Sequence, residues 1–146
     1  MKTIFVLLII GSALLSLPSQ QATSPVGRWE VKFTLLDSAE RHLVFTAVEN
    51  GDGSFQLLDT GPDDKPVKEP KAAAWSLSEG NLSVSGEVEL QIGNCCRQTG
   101  TLIFKSKFKN GDSLQGKLIF VTNVDEEESA YKYRSTVGTF TASRLK

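Results

Sequence analysis

Four short stretches of this 146-residue chain carry side chains able to do chemistry, and each is judged by the partners that chemistry requires. Gly111-Asp112-Ser113-Leu114 sets a serine hydroxyl beside a carboxylate. A hydroxyl becomes a nucleophile only when a base is placed to take its proton. The only histidine, His42, lies far upstream and out of phase with Leu43 and Phe45, so no acyl-transfer site assembles. Cys95 and Cys96 are adjacent and are the only cysteines. They leave open a strained vicinal disulfide, a free pair, a soft-metal contact or a bond to another chain. Two thiolates are half of what a closed zinc site wants. Asp125-Glu126-Glu127-Glu128 lacks the spaced oxygen ligands of a calcium loop and reads as a solvated acidic run. Asn81-Leu82-Ser83 fits a glycosylation acceptor, which has meaning only in a eukaryotic secretory route. These residues lead us to expect a protein that is not an enzyme and uses neither metal nor cofactor.

The elements that must position any site are strands. In Gly27 to Leu35 the residues Trp29, Val31, Phe33 and Leu35 share one face, and Arg28, Glu30, Lys32 and Thr34 share the other. Period-two alternation of this kind marks a strand with a core on one side and water on the other. The same pattern runs through Leu82 to Ile92, Leu102 to Lys107 and Leu114 to Phe120, and more weakly through His42 to Glu49, Ser54 to Asp59 and Ala72 to Ser78. Gly27, Gly86, Gly100, Gly116 and Gly138 all fall on the inward phase, where glycine marks a bend or a close approach. Tight turns at Asn50 to Gly53, Glu79 to Asn81 and Lys109 to Asp112 carry hairpin chemistry. The other connections, Asp37 to Glu40, Gly61 to Lys71, Gly93 to Gln98 and Asp125 to Ser135, are longer and irregular. Short and long connections therefore alternate. That rhythm predicts an all-β fold, an eight-stranded antiparallel up-and-down barrel between Val26 and Ala142, sealed at one end and rimmed by loops at the other.

Met1 and Lys2 precede an apolar run from Thr3 to Leu17 and a polar exit at Pro18 to Ala22. This is the layout of an export signal, and the run is short for a membrane span, which needs about 20 apolar residues. We expect residues 1–22 to be the signal and 23–146 a single barrel domain, secreted or periplasmic, with no stable membrane span after signal removal. Formal charge is −1 with lysine and arginine scattered, so the basic stripe of a nucleic-acid binder is missing.

Gly27-Arg28-Trp29 on the first strand resembles the Gly-x-Trp opening of the lipocalins, and Arg144 near the end of the last strand resembles the arginine that packs across that tryptophan. The middle Thr-Asp-Tyr motif of the family is absent, and no helix follows the last strand. The resemblance implies a lipocalin-like barrel whose sealed end is plugged by Trp29 and Arg144. A closed meander makes the same demand, because its last strand returns antiparallel beside the first. Gly111 to Leu114 also spells a signature of serine hydrolases, but there it follows the first strand of an α/β fold, whereas here it is a hairpin entering a strand.

By strand direction the inward residues nearest the mouth are Leu35, Leu43, Leu57, Ala73, Trp75, Leu90, Ile92, Leu102 and Phe120. They would line a lumen suited to a small hydrophobic molecule. The expected function is thus an exported binding protein holding such a ligand in the barrel. The alternative is a non-enzymatic interaction module, an inhibitor or envelope accessory protein, whose lumen is filled by its own phenylalanines and whose rim loops meet a protein partner.

Overall fold

A strand with one apolar face leaves its backbone edges unpaired, and a row of such strands satisfies every edge only by closing on itself. The computed structural model, which describes residues 23–58, 69–93, 96–123 and 133–146, shows this solution. Its strands are β1 (Gly27–Leu35), β2 (Glu40–Ala47), β3 (Asp52–Leu58), β4 (Lys71–Ser78), β5 (Asn81–Ile92), β6 (Cys96–Lys107), β7 (Ser113–Asn123) and β8 (Tyr133–Arg144). Each pairs antiparallel with the next, and β8 pairs back to β1 from Trp29↔Arg144 to Leu35↔Gly138. A 3-10 turn at Glu49–Gly51 joins β2 to β3. No helix among the described residues is long and apolar enough to cross a membrane.

The tight connections follow from backbone chemistry. Glu79 and Gly80 both have positive φ, at 50° and 73°, which gives a two-residue hairpin whose twist matches its strands. Three strands are longer or differently bounded than the sequence pattern suggests. Glu40 and Arg41 belong to β2, residues 96–98 to β6 and residues 133–135 to β8. At β6 the ladder runs on where burial stops: Ile92↔Cys96, Gln91↔Arg97 and Leu90↔Gln98 pair although Arg97 and Gln98 are exposed. Hydrogen bonding holds these ends, and alternation cannot report it. Most of the irregular stretch from Gly61 lies outside the described residues, and β4 begins at its end, at Lys71.

Inward side chains merge into one apolar cluster. Phe104 is its hub, edge-to-face with Phe33 at 5.9 Å, Phe55 at 5.7 Å and Phe140 at 4.9 Å between ring centroids. Phe45 stands edge-on to Phe55 at 5.7 Å. Such contacts contribute about 0.5–1.5 kcal/mol each beyond area burial. Inward glycines make room for the rings. A β-carbon on Gly86 would lie 2.8 Å from the Phe55 ring, and one on Gly116 would lie 2.9 Å from Phe140.

Because Phe104 touches three other rings, Phe104→Ala should destabilise the barrel by about 3–5 kcal/mol, measured by denaturant unfolding. A loss below 1 kcal/mol would mean that the aromatic cluster does not hold the core.

Candidate functional site

The sealed end is built around Arg144. Its register partner is Trp29, and its guanidinium carbon stands 4.3 Å from the indole centroid. Its Nη1 donates to the Val26 carbonyl at 2.5 Å and its Nη2 to the Ser24 carbonyl at 2.8 Å. Its Nε faces Asp112 Oδ1 at 3.1 Å, an ion-pair contact without hydrogen-bond alignment. Trp29, fully buried, donates its indole N–H to the Pro25 carbonyl at 2.8 Å. Gly27 explains its own identity: φ is +134°, and a β-carbon there would meet Arg144 Nη1 at 2.7 Å. Gly27, Trp29 and Arg144 thus form one plug that ties the segment ahead of β1 across the barrel floor.

The lumen above this plug is occupied by the protein itself. Leu43 and Leu102 are 0% exposed, and Phe33, Phe55 and Phe120 are 1% exposed. Next to the plug lies a void of about 20 Å³, lined by residues such as Trp29, Phe45, Phe104 and Phe140, and a second space of about 130 Å³ opens beside Phe55, Leu57 and Val88, rimmed by Glu87, Glu89 and Lys71. The first has room for about one water, and both are below the ~300 Å³ of a small-ligand pocket. Of the residues expected near the mouth, Leu35, Leu43, Leu90, Leu102 and Phe120 lie within the buried cluster, and Leu57, Ala73, Trp75 and Ile92 pack against it partly exposed. Trp75 is not at the mouth. The strand β4 starts at the mouth side and runs to the sealed end, so Trp75 pairs with Val84 early in β5, and its indole N–H reaches the Val48 carbonyl at 2.8 Å. Ala73, opposite Gly86, sits midway along the wall.

A clasp crosses the mouth. In a closed ring of eight, the β1–β2 and β5–β6 connections are diametrically opposed. Asp37 and Arg41, at the first, form a two-point pair, Oδ1 with Nη1 at 3.0 Å and Oδ2 with Nη2 at 2.5 Å. Arg41 Nη2 also donates to the Gln91 carbonyl at 2.6 Å, and Asp37 Oδ2 accepts from Gly93 N–H at 3.2 Å. Within its own loop, Asp37 Oδ1 accepts from Ala39 N–H at 3.2 Å. The Arg41 hydrogen bond, opposed by burial and helped by the Gly93 and Ala39 amides, holds the Asp37 carboxyl well below its ordinary value of 3.8. The sequence reading missed this pair. Its one local signal was an acid and an arginine four residues apart around a turn, while the partners across the mouth are main-chain groups 50 and 56 positions away.

The outer wall also carries structure. A groove of about 1320 Å³ crosses β5 to β8 and β1, floored in part by Ile103, Ile119, Val137 and Leu36. A second groove of about 550 Å³ continues it past Thr34, Gln115 and Thr139 towards Lys32 and Glu40. Sequence signal existed here too. Ile103 and Ile119 are apolar in the outward phase, out of step with Leu102, Phe104, Leu118 and Phe120.

The remaining chemical candidates do not converge. Ser113 pairs with Ser143 at the sealed end, Asp112 faces Arg144, and His42 lies beside Lys32 with its ring Nε2 2.7 Å from Glu40 Oε1. Asn81 is exposed at the start of β5. Cys95 and residues 125–128 lie outside the described residues, and Cys96 is placed by its backbone alone, as the first residue of β6.

Two variants probe the ends of the barrel. Trp29→Ala should cost about 3–5 kcal/mol in denaturant unfolding, as a fully buried aromatic loss at the plug. The Asp37 carboxyl is depressed in the folded state, so its contribution is present above its unfolded pKa and is lost as pH falls towards the folded value. Asp37→Asn should therefore cost about 1–3 kcal/mol near neutral pH, and the gap to wild type should close as pH drops below about 4. A gap that stays constant down to about pH 2 would rule out the charged clasp. No family model, curated protein or solved structure matches this chain.

Proposed function

We propose that this protein is exported and non-catalytic, and that it works through its outside, with a filled lipocalin-like barrel as the rigid scaffold. The observation that carries the reading is the occupied lumen: five phenylalanines linked by edge-to-face contacts, a void of about 20 Å³ at the plug and no more than about 130 Å³ beside Phe55 and Leu57. A small hydrophobic ligand held inside would have to displace rings that the inward glycines are shaped to admit. The cross-mouth clasp adds a second barrier to entry. Apolar surface lies outside instead, with Leu36 75% exposed at the rim and Val137 53% exposed on β8. The lipocalin kinship is supported by the Gly27–Trp29–Arg144 plug, in which Arg144 covers the Trp29 indole and leaves no room for a β-carbon at Gly27. Export is supported by the basic start, apolar run and polar exit of residues 1–22.

The lumen is tested with a neutral, environment-sensitive naphthylamine probe in a Trp75→Phe background, where tryptophan emission belongs to Trp29. The protein should bind no stoichiometric probe and show no change in Trp29 emission, while Phe104→Ala should gain a site for it. Stoichiometric binding with Trp29 quenching in the protein without the Phe104 change would restore the ligand-in-lumen reading. Export is tested by N-terminal sequencing of protein recovered outside the cytoplasm. Cleavage between Pro18 and Ser24 is the expected result, and an intact Met1 would refute it.

A further inference from the structure

Strands with apolar residues on both faces usually belong to sheets covered on both sides. The strands β6 and β7 are of this kind. Inward they carry Leu102, Phe104, Leu118 and Phe120; outward they carry Ile103 and Ile119, directly opposed across the ladder. The next pairing continues the row from Ile119 to Val137 on β8, and Leu36, just past the Leu35↔Gly138 pair, extends it on the β1 side. The result is an apolar row about 14 Å long running across the strands rather than along them.

One register step towards the sealed end, Lys105 and Lys117 are also directly opposed on this face, with Lys107 two residues further along β6. Like charges set directly opposite each other in a sheet are unfavourable. All three ammonium groups are on exposed residues, and among the described residues none has an ion-pair partner. No acidic residue lines the 1320 Å³ groove. It therefore combines a hydrocarbon floor with a concentrated positive charge at one margin that no described residue neutralises.

We infer that this groove binds a linear anionic amphiphile, with its alkyl chain along Ile103, Ile119, Val137 and Leu36 and its acid head between Lys105 and Lys117. The inference deepens the proposal that the barrel works through its outside. A peptide strand fits less well, because β5 to β8 and β1 are fully laddered here and offer no open edge for backbone pairing. A flat bilayer fits less well, because the surface is concave. A single chain needs only apolar contact and a cationic end.

The test exploits isoleucine placement. The barrel contains three isoleucines, Ile92 at the mouth and Ile103 and Ile119 on the wall. Sodium dodecanoate, titrated below its micelle concentration into isoleucine-methyl-labelled protein, should shift the Ile103 and Ile119 methyl resonances saturably and leave Ile92 in place. Lys105→Gln with Lys117→Gln should weaken binding by about tenfold with the fold retained by circular dichroism, and dodecanol should bind the unsubstituted protein about tenfold more weakly than dodecanoate. Absence of wall shifts, equal binding of dodecanol, or indifference to the lysine change would overturn the site. So would sedimentation with phosphatidylglycerol vesicles without a response to free dodecanoate. A dodecanoate shift at Ile92 with quenching of Trp29 would instead place the ligand in the lumen and overturn the exterior reading as a whole.

Discussion

The pairing of β1 with β8 is the constraint on which everything else depends. Without it the sheet would expose two long edges, one bearing Trp29, Val31, Phe33 and Leu35. With it each strand of the ring has a partner on either side. Arg144 fixes this closure at its sealed end by covering Trp29 and taking the Ser24 and Val26 carbonyls. The ladder alone sets the neighbourhood of the two strands. The plug sets their register, because a one-residue slip would turn Trp29 outward and take Arg144 off the indole.

Once closed, the ring has little interior to spare. Phenylalanines on β1, β3 and β8 meet Phe104 on β6, Phe45 on β2 joins them through Phe55, and the inward glycines on β5 and β7 are the spaces those rings use. At the other end the Asp37–Arg41 clasp draws the β1–β2 connection to β5 across the mouth, over a lumen already packed with leucine. Both ends are therefore held by an arginine that donates to main-chain carbonyls. An arginine suits this work because its fork of donors can serve a carboxylate and a carbonyl at once.

Much of the fold was legible in the sequence because it depends on local rules. Alternation located β1, β5 and β7, and the Asn-Gly and Glu-Gly turns located the hairpins that seal one end. Inward glycines pointed to curling before any partner was known. What stayed hidden depends on partners distant in sequence. The extension of β6 to Cys96 rests on ladder bonds to Ile92 rather than on burial. The start of β4 was legible to within one residue, but its height on the wall was not: Lys71 pairs with Phe55, part-way down β3, which sets Trp75 opposite Val84 near the sealed turn. The alternatives of a filled or a hollow lumen could not be resolved either, since identical inward residues line both and only their packing volume differs.

That volume can be argued energetically. A ligand pocket of ~300 Å³ left unfilled, at about 24 cal/mol per Å³ of cavity, would cost roughly 7 kcal/mol. A domain of this size has about 5–15 kcal/mol of total stability, and two adjacent cysteines offer no disulfide framework to offset such a loss. A small barrel of this kind keeps its stability by spending its lumen on its own rings. Binding on the outer wall carries no such penalty. Ile119 sits between Leu118 and Phe120 in the chain but faces away from them, so the groove can be shaped for a ligand while the core phase stays untouched. Inside and outside share strands without sharing faces, and that separation leaves the outer wall free to take on recognition.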